Sequence, residues 1–186
     1  KASKIFDNHL LDEIGVPIEN LVTDSRLVKR GDTFLAYAGE VTDGRKFIPQ
    51  AIAAGANAVL WDPQNFSWNP EWHIPALAIT ELRAKAGLIA SSVYGNPSQK
   101  LWVVGFTGTN GKTSCSHWYA QAMTSLGKKT AVLGTLGNGF SGELEVAENT
   151  TPEATVLQRS LARFAERGAQ SVAMEVSSHG LVQGRL

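Results

Sequence analysis

The sequence is poor in cysteine and methionine, carries no surplus of either charge, and has no long apolar run. Its one cysteine, Cys115, leaves no partner for an internal disulfide and no multi-cysteine metal cage, a usage that fits a reducing compartment. Lys plus Arg number 17 and Asp plus Glu 17, so a formal net charge of zero offers no global field for nucleic acid or an anionic membrane. Any anion must be held by a local site. No stretch approaches the roughly 20 apolar residues of a membrane span. Asp7, Asp12 and Glu13 interrupt the N-terminal stretch where a signal peptide needs an apolar segment. A cytoplasmic chain without a membrane or nucleic-acid partner is expected. What is present, 43% hydrophobic and 18% charged residues over 186 positions, can bury the core of one ordinary domain or two small ones.

Tyr94-Gly95-Asn96-Pro97-Ser98 punctuates the chain, and the apolar patterns restart on either side, so domains are expected at 1–97 and 98–186. In the first, Phe34 to Ala38 and Ala58 to Trp61 read as strands, with a helix over 47–54 stopped by Gly55 and another over 80–94 burying Leu82, Ala86 and Ile89. In the second, Leu101-Trp102-Val103-Val104 reads as a parallel strand covered on both faces. A helix over 112–126 and a strand over 130–133 follow. Thr150-Thr151-Pro152-Glu153 reads as a helix start with a hydroxyl cap, Leu157, Leu161 and Phe164 as its buried face, and 171–176 as a third strand. The expected class is α/β: a small N-terminal α/β domain, then the first part of a parallel-sheet domain with right-handed crossovers. Because such a sheet usually continues, Leu186 is expected not to be a natural C-terminus.

Between the strand at 101–104 and the helix at 112 lies Gly105-Phe106-Thr107-Gly108-Thr109-Asn110-Gly111-Lys112-Thr113-Ser114. Glycines let successive N–H groups curl around an anion, and the helix N-terminus adds favourable partial charge. Lys112 would reach terminal phosphates and the Thr113 hydroxyl would ligate Mg²⁺. The general phosphate-loop pattern wants Gly at 106 and finds Phe106, so this is a variant. Glu175, near the C-terminal end of the third strand, stands where parallel sheets gather ligands and could face the same ion. His179 reads as a structural donor, His9, His73 and His117 carry no ligand spacing, and Cys115 reads as a packing residue. Asp24-Ser25-Arg26 and Asp43-Gly44-Arg45 read as turns, with Asp capping and Gly44 permitting positive φ. The five tryptophans, 61, 68, 72, 102 and 118, read as packing residues. A phosphate-loop kinase or nucleotide switch, and a binding module without catalysis, are compatible with these features.

Thr107-Gly-Thr-Asn-Gly-Lys-Thr113 resembles the ATP loop of the Mur ligase family. Thr23-Asp-Ser-Arg26, Gly31-Asp-Thr-Phe34 and Asp43-Gly-Arg45, with Asn149-Thr-Thr-Pro152 and Met174-Glu-Val-Ser-Ser-His-Gly-Leu181, resemble its tripeptide-forming branch along nearly the whole chain. The resemblance implies an ATP-dependent amide ligase of peptidoglycan precursor synthesis. It would join meso-diaminopimelate or L-lysine to UDP-N-acetylmuramoyl-L-alanyl-D-glutamate through an acyl phosphate. It implies ATP held by Gly108, Thr109, Asn110, Gly111, Lys112, Thr113 and Ser114, Lys112 as catalytic residue, and Mg²⁺ on Thr113 and Glu175. It implies substrate contacts at Thr23, Ser25, Glu40, Val41 and Thr42 in the UDP-binding domain, and at Asn149, Thr150, Thr151, Ser177, Gln183 and Arg185 beyond it. A monomer with small-molecule partners is implied, inactive over these residues alone. A D-Ala-D-Ala-adding relative and a folate polyglutamate synthetase are the alternatives within the superfamily.

Overall fold

The computed structural model describes residues 9–147 and 150–184. The chain divides into two compact units, residues 1–93 and 94–186.

In the first unit a short helix, α1 (His9–Asp12), precedes β1 (Leu21–Val22), β2 (Thr33–Ala36), α2 (Ile48–Ala53), β3 (Ala58–Trp61), β4 (Ala76–Ala78) and α3 (Leu82–Val93). The four strands lie side by side in chain order, all parallel. Every residue of β2 is buried, and Phe34 and Ala36 share a core with Val22, Val28, Ile48, Ala51 and Val59, so α2 covers one face. The α3 stripe of Leu82, Ala86, Ile89 and Ala90 is buried as its spacing predicts. Asp62, just past β3, accepts from the Leu82 N–H (3.1 Å) and caps α3 from across the sheet edge. Trp61, Trp68, Trp72 and Phe66 form an aromatic cluster with centroids 5.0 to 6.3 Å apart. Three tryptophans therefore pack as expected.

Both Asp-x-Arg segments are turns. Asp24 Oδ1 accepts from the Arg26 N–H and Asp43 Oδ1 from the Arg45 N–H, each starting a 3₁₀ turn (Ser25–Leu27 and Gly44–Phe47). Positive φ is not the reason for Gly44, however. Its N–H donates to the Tyr37 carbonyl (2.9 Å), and a Cβ there would lie 3.0 Å from that oxygen, so close approach is what requires glycine.

The second unit runs β5 (Trp102–Phe106), α4 (Lys112–Ser125), β6 (Thr130–Gly134), β7 (Gly137–Phe140), β8 (Glu143–Glu145), α5 (Ala154–Glu166), β9 (Ser171–Glu175) and α6 (Ser178–Val182). Its sheet has the order β5-β9-β6-β7-β8. β9 pairs in parallel with both β5 and β6, while β7 and β8 form an antiparallel extension. Three expectations change here. First, β5 is not a buried interior strand: among the described residues it is an edge strand paired only with β9, none of its residues is fully buried, and Trp102 is 70% exposed. Trp118 on α4 is exposed too, so neither is a packing residue. Second, the β7–β8 hairpin was not predicted, because Gly137 and Gly139, both at positive φ, break the alternation that would announce a strand. Third, α5 begins at Ala154 with Glu153 at its N-cap and no side-chain cap bond; the Thr151 hydroxyl is used elsewhere. The Leu157, Leu161 and Phe164 stripe is buried as expected.

Candidate active site

The turn between β5 and α4 places Gly108 and Gly111 at φ +136° and +81°, values an L side chain resists, and Gly111 serves as the N-cap of α4. Residues 107–111 are exposed at the head of a 14-residue helix, whose first N–H groups have no intrahelical acceptor and so are available to an anion. Phe106 is the last residue of β5 and, partly buried, packs against the cluster of Ala120, Val132 and Ala173. Its ring meets Tyr119 of α4 at 5.7 Å, which explains a bulky residue where the general pattern has glycine. The Lys112 ammonium donates to the Gly108 carbonyl (2.7 Å), so the cation spans the loop it follows. Thr109, Asn110 and Ser114 are exposed beside it.

Glu175 ends β9, between β5 and β6, and is 1% exposed. Register sets it opposite Phe106, the last strand residue before the loop. The Thr113 hydroxyl donates to its Oε2 (2.9 Å) and the Thr135 N–H to its Oε1 (2.9 Å), with the Thr135 hydroxyl 3.2 Å from Oε2. A Cβ built on Gly134 would lie 2.7 Å from the Glu175 Cδ, so only glycine lets the carboxylate lie against β6. Among the described residues no Lys, Arg or His pairs with it. A buried carboxylate held only by neutral donors keeps most of its desolvation cost, and a cation offsets it. Thr113 and Glu175 supply hard oxygen donors, and a hydroxyl that donates to a carboxylate still offers lone pairs to an ion, so the pair fits Mg²⁺.

Beyond the strand, Thr151 is 1% exposed. Its hydroxyl donates to the Glu175 carbonyl (3.0 Å), accepts from the Ser177 N–H (2.9 Å) and lies 3.1 Å from Ser177 Oγ. Ser177 Oγ in turn caps α6 by accepting from the Gly180 N–H (3.0 Å). Thr150 Oγ1 lies 3.1 Å from Thr135 Oγ1. Glu175 thus gathers Thr113, Thr150, Thr151 and Ser177 into one hydrogen-bonded patch. Gln183 follows α6; Asn149 and Arg185 lie outside the described residues. His179 is exposed and makes no side-chain hydrogen bond among the described residues.

In the first unit the candidates follow adjacent parallel strands: Thr23 and Ser25 after β1, Glu40, Val41 and Thr42 after β2, at the carboxyl edge where α/β sheets gather ligands. Ser25 is buried and its hydroxyl donates to Gln50 Oε1 (3.0 Å), Glu40 pairs with Arg83 (2.7 Å), and Val41 is 98% exposed. The loop closes by the Gly39 N–H donating to the Thr42 carbonyl (2.9 Å). Arg45 holds it from below. Its guanidinium grips Asp43 through Nε and Nη2 (2.9 Å each), and Nη1 donates to the Asp62 and Gln64 carbonyls (3.0 and 2.6 Å). That contact holds the Asp43 carboxyl below its usual range.

Sequence reasoning missed Gly134, Thr135 and the burial of Arg45. Nothing in the Gly134-Thr135-Leu136-Gly137 run says that a carboxylate 40 residues later docks there.

Two family models match the chain: the Mur ligase family catalytic domain over residues 17–94 and the Mur ligase middle domain over 106–186. A UDP-N-acetylmuramoyl-L-alanyl-D-glutamate--2,6-diaminopimelate ligase from Nitrosomonas europaea is 60% identical over 177 residues, 95% of this chain and 34% of that protein. A ligase of the same name from Pseudomonas aeruginosa is 46% identical over 91% of this chain and 35% of its own length. The chain therefore spans about a third of the curated relatives it matches. A solved ligase of that name superposes with a TM-score of 0.72 at 32% identity, over 91% of this chain and 34% of its own. The Acinetobacter baumannii MurF structure shares the fold at TM-score 0.62 and 22% identity, over 87% of this chain and 31% of its own. Since the two models lie end to end along the chain and the loop, strand order and carboxylate stand as described, the chain belongs to the Mur ligase family.

Proposed function

We propose that this chain carries the UDP-substrate-binding and phosphate-binding parts of an ATP-dependent ligase that joins 2,6-diaminopimelate to UDP-N-acetylmuramoyl-L-alanyl-D-glutamate. The observation that carries the reading is the buried Glu175 carboxylate, without a cation partner among the described residues, joined to Thr113 directly behind a glycine-lined loop. The names of relatives 46 to 60% identical support the choice of substrates.

In this reading the N–H groups of residues 108–112 bind the ATP phosphates, and Lys112 leaves the Gly108 carbonyl to pair with the transferring phosphoryl group. Thr113 and Glu175 hold Mg²⁺, which when bound neutralises charge on the phosphate oxygens. Thr150, Ser177, Gln183, Asn149 and Arg185 orient the muramyl peptide so that its D-glutamyl carboxylate oxygen attacks the γ-phosphorus. ADP leaves, and the amine then attacks the acyl carbon and expels phosphate. Thr151 acts as a latch, since its hydroxyl is committed to Glu175 and Ser177. Thr23, Ser25 and the exposed 40–42 loop receive the uridine diphosphate, with Ser25 working through its backbone because its hydroxyl is bonded to Gln50.

Calorimetric titration of the chain with UDP-N-acetylmuramoyl-L-alanyl-D-glutamate, with UDP-N-acetylglucosamine as control, tests the reading. Selective binding of the muramyl ligand is expected. Equal affinity for the two, or binding of neither by a chain shown folded by circular dichroism, contradicts it.

A further inference from the structure

The turn joining β6 to β7 is Thr135-Leu136, and Thr135 does more than reverse the chain. Its backbone N–H points out of the hairpin to Glu175 Oε1 (2.9 Å), while its hydroxyl stands between Glu175 Oε2 (3.2 Å) and Thr150 Oγ1 (3.1 Å). Thr135 itself is exposed, so this hydroxyl is the solvent-side wall of an otherwise buried carboxylate. Gly134, one residue earlier, makes the approach sterically possible, and its N–H is tied to Asn138 Oδ1 (3.2 Å), which anchors the hairpin under the turn. Two neighbours in sequence thus shape one acid, the first by lacking a side chain and the second by supplying two donors.

We propose that Thr135 is a positioning residue for the Glu175 carboxylate, fixing it in the orientation that faces a divalent cation beside Thr113 and tying it to Thr150. Donors that orient a metal-facing carboxylate from behind commonly change metal affinity by about 10- to 100-fold when removed. A hydroxyl has one proton, and the charged acceptor takes it preferentially. Thr150 Oγ1 is the second acceptor within reach of the same hydroxyl, so its one proton serves either Glu175 or Thr150. The metal-side and peptide-side residues are therefore joined through one rotatable O–H. The inference rests on the proposed Mg²⁺ role of Thr113 and Glu175.

The test is ATP affinity of the chain, by calorimetry, with Mg²⁺ and with EDTA, for the wild type, Thr135→Val and Thr135→Ser. Valine keeps the shape and the backbone N–H and deletes only the hydroxyl, and the urea midpoint is measured in parallel. The wild type is expected to bind ATP more tightly with Mg²⁺. Thr135→Val should reduce that enhancement about tenfold with the EDTA affinity unchanged, and Thr135→Ser should restore it. A wild-type enhancement retained in full by Thr135→Val overturns the positioning role. So does a loss that is equal with and without Mg²⁺, or a fall in the urea midpoint large enough to account for the loss, since a purely structural role would produce these. A wild type indifferent to Mg²⁺ instead overturns the reading of Thr113 and Glu175 on which the inference stands.

Discussion

Each unit buries an ionisable side chain beside its candidate site, Arg45 in the first and Glu175 in the second, and the two are compensated in different ways. Arg45, 6% exposed, has its charge met by the Asp43 carboxylate and its remaining N–H groups by two carbonyls. Glu175, 1% exposed, has hydroxyl and amide donors and no ion pair among the described residues. A paired buried charge is complete and acts as scaffold. One with only neutral donors is held at a cost, and that cost is recovered when a cation arrives.

The contrast predicts opposite responses to removing charge. Arg45→Ala leaves Asp43 without its partner and two carbonyls without a donor, so urea unfolding of the first unit should show a loss of about 3–5 kcal/mol. In metal-free buffer Glu175→Gln should instead unfold within about 1 kcal/mol of the wild type or above it, because the amide removes an uncompensated charge and keeps hydrogen-bonding capacity. A loss of Arg45 size for Glu175→Gln would erase the distinction.

A third response separates the units by pH. The Arg45 guanidinium, through its hydrogen bonds, holds the Asp43 carboxyl below its ordinary 3.8 in the folded chain. A depressed folded value contributes stability fully present above that ordinary value and lost as pH falls through the folded one. The first unit's urea midpoint should therefore drop on acidification below about pH 4, with a smaller slope in Asp43→Asn. An unchanged slope would remove the pair from the acid response. The smallest effect belongs to the sibling turn. Arg26 grips Asp24 with the same geometry at 2.6 Å, but its side chain is 80% exposed, and Arg26→Ala should cost under about 0.5 kcal/mol.

These two turns also show where sequence stops speaking. Asp-Ser-Arg and Asp-Gly-Arg read identically as capped turns, and both are; that one arginine is buried depends on Phe66 and the carbonyls of residues 62 and 64, which reach it only through the fold. The phosphate loop was legible because its chemistry is local: glycines at required φ, a lysine, a hydroxyl and a helix, all within seven residues. Glu175 was legible as a strand end. Gly134 and Thr135 were not, since their partner is 40 residues distant. Trp102 misled for the converse reason. Apolar composition signals burial, but β5 stands at the edge of the described sheet with its tryptophan exposed.

The central claim is that Glu175 and Thr113 form the cation side of an ATP site. Calorimetric ATP titration of wild type and Glu175→Gln, each with Mg²⁺ and with EDTA, tests it most directly. The account predicts a Mg²⁺-dependent gain in affinity for the wild type that is absent in Glu175→Gln, with equal affinities in EDTA. The same Mg²⁺-dependent gain in both proteins would contradict it.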